Sequence, residues 1–227
     1  MYNQRALTDY SRPKNCLYLG RNINKKTMKR PQVESKIASA LGSIPKGSIL
    51  FVDDFLDYGA RESVKKALFR LNEKGVLNRL AHGIYLYPET DEQFGILYPS
   101  TEEIAKAIAR RDKARIIPTG VQALNKLGLS AQVPMKVAYL TDGTARTVKI
   151  GKRTIAFKKT SPKNLLLKGE ISTLAIQALK TIGRNSLDEK TTQKIKVVLK
   201  NENRENIISD AKLAPEWITK ILMQVVS

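Results

Sequence analysis

The stretch Gly75-Val-Leu-Asn-Arg-Leu-Ala-His-Gly-Ile-Tyr-Leu-Tyr-Pro88 decides how the rest of this chain is read. Residues 76–80 and 84–87 are short runs rich in branched and aromatic residues, the composition of strands. Ala81-His82-Gly83 between them is a tight hairpin, and Gly83 supplies the positive φ that a two-residue turn needs. Immediately upstream, residues 61–74 read as a helix. Val64, Ala67, Leu68 and Leu71 form its apolar stripe and Gly75 its C-terminal stop. Asp53 or Asp54 caps a brief helix through Leu56, closed at Tyr58-Gly59. Ile49-Leu50-Phe51-Val52 is a small strand after the Pro45-Lys46-Gly47 turn, and Val33, Ile37, Ala40 and Leu41 mark one face of a helix ending near Gly42. Helix, strand, helix, turn, helix and hairpin is the order of a winged helix-turn-helix.

The charge agrees with a polyanion partner. Forty Lys and Arg against twenty-one Asp and Glu leave +19 over 227 residues, with a pI near 10. The excess is spread: net +5 in residues 1–27, +4 in 28–88, +7 in 89–170 and +3 in 171–227. A basic surface on folded parts is therefore expected, more than a charged tail. Residues 1–27 lack periodicity and the features of a signal peptide. They read as a basic, disordered extension, with Met28 as an alternative start; a basic arm tracking DNA phosphates is the other reading. No apolar run reaches the ~18 residues of a membrane span, so no membrane partner is expected and the chain reads as cytoplasmic. One cysteine, Cys16, and one histidine, His82, leave no disulfide framework or Cys-based zinc site and little scope for His-relayed catalysis.

A helix-turn-helix lays its second helix in the major groove. On residues 61–74 the 100° step puts Glu62, Lys65, Lys66 and Phe69 opposite the core stripe, with Arg61, Ser63 and Arg70 on the flanks. Lys and Arg can donate to guanine or phosphate, and Ser can do so more weakly. Packing against the hairpin or a neighbouring helix is the usual fate of an aromatic such as Phe69; contact with a thymine methyl is the alternative. In the wing, Arg79 and His82 are candidates for phosphate or minor-groove contact. The competing reading of these lysines is a solvated helix face.

The 75–88 stretch resembles the G-x-L-x-R-x-x-x-G-[VI]-Y-x-x-P ending of the winged helix in AbiEi-type antitoxins of bacterial type IV, abortive-infection toxin–antitoxin pairs. Ile44-Pro-Lys-Gly-Ser-Ile-Leu-Phe51, the 63–71 helix and Pro118-Thr-Gly-Val-Gln-Ala-Leu-Asn-Lys-Leu-Gly128 also fit that pattern. The likeness spans roughly residues 29–170 and is most specific in the wing. It implies an antitoxin that represses its own operon at inverted repeats and counteracts a nucleotidyltransferase-like toxin without a stable toxin complex. The winged helix would serve repression and the C-terminal domain antitoxicity.

Beyond the wing, Ser100 and Glu103 stand at the capping-box step before a helix with Ile104, Ala107 and Ile108 inward and Lys106, Arg110 and Arg111 more exposed. Residues 115–117 read as a strand and 121–127 as a short helix. Three strands follow at 136–140, 146–150 and 154–157, with Asp142-Gly143 and Gly151-Lys152 as hairpin turns. Arg146, Lys149, Lys152, Arg153, Lys158, Lys159 and Lys163 gather here, either as protected strand edges or as a second nucleic-acid or partner surface on one face. The last 57 residues read as three helical stretches, 174–182, 195–199 and 217–226, with Asp188 or Glu189 capping the middle one and Trp217 in the core.

Catalytic signatures are missing: there is no G-x-x-x-x-G-K-[ST] loop and no G-x-S-x-G. Gly47-Ser48 and Asp53-Asp54 have the residue types of a nucleotidyltransferase site at too short a spacing. No catalytic residue, metal or cofactor is assigned. The expectation is an α+β protein with three parts: a basic extension (1–27), a winged helix-turn-helix (28–90), and a mixed α/β antitoxin-like domain (91–227) with a small antiparallel sheet and terminal helices. Its expected function is sequence-specific binding of double-stranded DNA as an autorepressing antitoxin. A plain winged-helix regulator without a toxin, and a nucleic-acid-processing enzyme, are the alternatives.

Overall fold

The computed structural model describes residues 33–131 and 134–226. The expected extension at 1–27 and the start at Met28 lie outside the described residues. Helix α1 (Val33–Leu41) turns Ile37 and Leu41 inward. Strand β1 (Ile49–Phe51) leads into a 3-10 helix, Val52–Tyr58, and then helix α2 (Arg61–Glu73) buries Val64, Ala67, Leu68 and Leu71 as its periodicity predicts. Neither Asp53 nor Asp54 is the residue preceding the brief helix. That helix starts earlier, at Val52, and the Asp54 carboxylate reaches back to accept the Phe51 N–H at 2.7 Å.

Strands β2 (Asn78–Ala81) and β3 (Ile84–Leu86) make the expected hairpin, and β3 also pairs with β1, giving an antiparallel sheet ordered β1-β3-β2. The register slips between Arg79 and Ala81, a bulge beside the turn. Gly83 closes that turn at φ 71°, a conformation that costs glycine nothing.

A short hairpin of β4 (Thr90–Asp91) and β5 (Gly95–Ile96) precedes helix α3 (Thr101–Arg111). Ser100 and Glu103 cap α3 reciprocally: Ser100 N–H donates to Glu103 Oε2 at 2.7 Å and Glu103 N–H to Ser100 Oγ at 3.2 Å. Strand β6 (Ile116–Thr119) and helix α4 (Val121–Lys126) follow, then β7 (Lys136–Thr141), β8 (Arg146–Ile150) and β9 (Arg153–Lys159).

The class is α+β, but the second sheet is mixed. Its order is β6-β7-β9-β8, with β7 and β9 parallel and the other two pairs antiparallel. Asp142-Gly143 is thus no hairpin turn between paired neighbours, whereas Gly151-Lys152 does join the paired β8 and β9. Burial explains the order. Ile155-Ala156-Phe157 of β9 is buried on both faces and takes an interior place, while β8 alternates exposed and half-buried residues and suits an edge. Asp142 is also diverted: its Oδ1 accepts the Arg115 N–H at 2.8 Å, and Gly143 N–H donates to Thr141 Oγ1 at 3.0 Å.

Three cores result. The first joins α1, α2 and one face of the β1-β3-β2 sheet through Ile37, Leu50, Phe55, Leu68, Leu77 and Tyr85. The second puts the opposite face, with Phe51 and Ile84, against Ile104 and Ile108 of α3 and Val137, Tyr139, Ile155 and Phe157 of the mixed sheet. The third gathers α4 with α5 (Glu170–Ile182), α6 (Glu189–Leu199), α7 (Arg204–Ala211) and α8 (Glu216–Val226). Asp188 caps α6 by accepting the Thr191 N–H at 3.0 Å. Trp217 is half-buried against the third core.

Two carboxylates from α7 and the turn before it close the N-terminus of α5, where free N–H groups favour negative charge. Buried Asp210 accepts from Lys168 N–H at 2.8 Å, Gly169 N–H at 2.9 Å and the Ser172 hydroxyl. Glu202 Oε2 accepts from Ile171 N–H at 2.8 Å and Ser172 N–H at 3.4 Å. Burial pushes the Glu202 carboxyl up, but the N–H groups of Asn203, Ile171 and Ser172 and the Asn206 side chain outweigh it and hold the group below its ordinary 4.5. A carboxyl depressed in the folded state stabilises fully above its unfolded pKa, and that contribution is lost as pH falls through the folded value. Glu202→Gln is therefore expected to be less stable than the parent at neutral pH, with the gap closing below pH 4.5. Urea melts across the acid range measure this, and a gap independent of pH would contradict it.

Candidate nucleic-acid interface

The outer side of α2 and the β2-β3 hairpin are brought together by the first core. Asn72 on α2 ties them directly, accepting the Arg79 N–H on its Oδ1 at 2.8 Å. Between them lies a cleft of about 290 Å³ lined by Asp53, Arg61, Lys65, Phe69, Arg79, His82, Gly83, Tyr85 and Arg111. Four of the expected contact residues meet there: Arg61 and Lys65 from the helix, Arg79 and His82 from the hairpin.

The others are placed differently. Glu62, Ser63 and Lys66 are exposed on α2 beside the cleft. Arg70 turns away toward α1, where Glu34 stands 3.7 Å from it and also pairs with Lys74. Lys74, by its hydrogen bond and charge, and Arg70 beside it hold the Glu34 carboxyl below its usual range. Phe69 is not packed away against the hairpin: it is 48 % exposed, on the cleft wall with Tyr85. The bulge beside the turn aims Arg79 along the hairpin, so that its Nε donates to the Ala81 carbonyl at 3.3 Å and its guanidinium lies 3.2 Å from His82 Nδ1.

The two α2 cations of the cleft are held by exposed carboxylates. Arg61 pairs with Asp53 at 2.6 Å and Lys65 with Glu62 at 2.7 Å, and both pairs face solvent. Lys65 holds the Glu62 carboxyl below its ordinary range. Such exposed pairs contribute little to stability, so a competing phosphate can displace them at small cost.

Arg111 is the residue that sequence reasoning placed wrongly. Its position, seven residues after Ile104 and three after Ile108, continues the apolar stripe of α3, and a cation on such a stripe was the available signal. It is half-buried, its guanidinium 4.6 Å from the centroid of the Phe51 ring. The basic set of the mixed sheet does not share one surface either. Pairing across β8 and β9 puts Arg146 with Phe157 and Lys149 with Thr154, so these two cations leave opposite faces of the sheet. Arg146 pairs with Asp112 and lies 5.6 Å from the Phe157 ring. Lys152 and Arg153 line a separate hollow with Arg79 and Tyr98, and Lys158 and Lys159 are exposed toward the end of β9.

A model of a protein family of unknown function, DUF6088, matches residues 36–207, from within α1 into α7. The chain belongs to the DUF6088 family. No curated protein matches it. Among solved structures it is similar to the RV2827C protein from Mycobacterium tuberculosis, at 12 % identity and a TM-score of 0.42, covering 86 % of this chain and 82 % of that one. The family match includes the whole cleft, since all its lining residues lie between Val52 and Arg111. Among the described residues of this DUF6088 chain, no group of three or more His, Cys, Asp or Glu side chains is gathered for a metal ion. No described helix is long and apolar enough to cross a membrane.

The outer face of α2 is separable from its core stripe. Lys65→Ala/Lys66→Ala is expected to change unfolding free energy by no more than about 0.5 kcal/mol, as for most surface substitutions. Leu68→Ala, at a fully buried position, is expected to cost about 2–5 kcal/mol. Chemical denaturation of the three proteins tests the contrast; a large loss in the lysine variant would mean that this face is structural.

Proposed function

We propose that α1, the 3-10 helix, α2 and the β2-β3 hairpin form a winged helix-turn-helix, and that this protein is a sequence-specific reader of double-stranded DNA. The observation that carries the reading is the convergence of α2 cations with Arg79 and His82 of the hairpin on one cleft, with Arg61, Lys65 and Arg111 around it. In a winged helix, the segment between recognition helix and wing is where a sugar-phosphate backbone passes. The exposed row of Glu62, Ser63, Lys66 and Phe69 on α2 would then face base edges in the major groove. Phe69 offers an apolar surface for a thymine methyl, and Glu62 can accept from a cytosine amino group.

The biological role we assign is that of an antitoxin that represses its own operon at inverted repeats and counteracts a nucleotidyltransferase-like toxin. Support for this finer role is the resemblance of residues 75–88 to the wing of AbiEi-type antitoxins, together with the charge of +19. Growth of cells carrying a neighbouring nucleotidyltransferase-like gene, with and without this chain, separates an antitoxin from a plain regulator.

DNA binding is tested by fluorescence anisotropy on the gene's own upstream duplex and a scrambled duplex, across a salt series. The upstream duplex is expected to bind more tightly, with the preference surviving near-physiological salt. Lys65→Ala/Lys66→Ala should weaken it. Loss of phosphate contacts lowers affinity for both duplexes and reduces the salt slope by about 0.9 per phosphate, whereas loss of base contacts relaxes the preference. Equal binding of both duplexes with a steep salt slope would leave only non-specific polyanion attraction.

A further inference from the structure

We propose that, with the hairpin turn in the minor groove of B-form DNA, the phosphate backbone on its far side is seated on the mixed sheet by Arg146 and Lys149, with Arg111 reaching both sides of the turn. The inference rests on the duplex-DNA reading of the hairpin. His82, at the hairpin turn, and Arg111 of α3 each line two hollows at once. One is the cleft toward α2. The other, of about 400 Å³, opens toward the mixed sheet and is lined by Ala81, His82 and Ile84, by Ile108 and Arg111 of α3, and by residues 146–149 of β8. An exposed turn residue with a basic hollow on each side complements a minor groove, a floor about 6 Å wide between two anionic walls. A single cationic flank would serve one backbone only.

The far hollow is built to hold its charges in place. The guanidiniums of Arg111 and Arg146 lie against the rings of Phe51 and Phe157, and Asp112 accepts from both, with Arg111 Nε donating at 2.9 Å. Their side chains keep 25 % and 30 % exposure, so edges not engaged by Asp112 remain open to a phosphate. Two arginines and Lys149 against one aspartate leave the hollow net positive. The edge position of β8 matters as well. Only β9 pairs with it in the sheet, so cations from both its faces reach the rim, and its outer backbone groups have no ladder partner there. Lys152 and Arg153 line a different hollow, and Lys158 lines neither flank. The far wall is thus a small part of the basic set. Duplex RNA fits poorly, since its minor groove is wide and shallow.

The test uses the intact chain on its upstream duplex, read by salt titration and hydroxyl-radical footprinting. Lys149→Ala removes an exposed cation and Thr147→Glu adds an anion on the same exposed side of β8. Lys65→Ala/Lys66→Ala is the reference for the α2 side. Lys149→Ala is expected to reduce the salt slope by about 0.9, the value for one phosphate. Both β8 variants should lose protection of one strand across the minor groove while keeping protection of the other. If both retain the parental slope and footprint while the α2 variant is weakened, the far backbone seat is overturned and the duplex reading stands. If the α2 variant also binds as the parent does, the duplex reading falls, and this inference with it. Equal affinity for a duplex RNA of the same sequence would likewise overturn a B-form minor-groove seat.

Discussion

Strand β3 is the constraint on which the rest depends. Ile84, Tyr85 and Leu86 are all buried, and successive side chains of a strand point to opposite faces. Tyr85 therefore enters the core under α1 and α2, while Ile84 enters the core against α3 and the mixed sheet. A one-residue slip would exchange the two sets, so the register Leu50↔Tyr85 and Phe51↔Ile84 is enforced by two cores at once. The hairpin ending in His82-Gly83 is thereby fixed relative to α2 on one side and to α3 and the mixed sheet on the other. A hairpin held this way keeps Arg79 and His82 in place beside α2.

Electrostatics completes the site without contributing much to the fold. The cations facing the cleft rest on exposed carboxylates: Arg61 on Asp53, Lys65 on Glu62. Exposed pairs of this kind contribute little to stability, so exchange of a carboxylate for a phosphate leaves the cores untouched. Arg111 differs, because it is half-buried over Phe51 and held by Asp112.

Much of the N-terminal half was legible because its patterns are local. The stripe Val64, Ala67, Leu68 and Leu71, the capping step from Ser100 to Glu103 and the glycine of the hairpin each fix a structure within a few residues. The mixed sheet was less legible, since strand order depends on which apolar run can be buried on both faces, and Ile155-Ala156-Phe157 displaced the sequential neighbour of β7. Helix α7 was missed because its short stripe of Ile207, Ile208 and Ala211 contains Asp210, whose partners lie some forty positions earlier at the start of α5. At the site, Arg61, Lys65, Arg79 and His82 could be named from helical phase and hairpin position. Arg70 and Arg146 were named too, but their pairing with Glu34 and Asp112 was not legible, because those carboxylates come from other elements.

The central claim is that α2 and the hairpin together form the DNA-contacting surface. Mapping of backbone amide resonances during titration with the upstream duplex tests it most directly. The largest shifts are expected on the outer positions of α2, on residues 79–83 and on Arg111, with α5 to α8 little changed. Shifts concentrated in residues 170–226, with α2 and the hairpin silent, would contradict it.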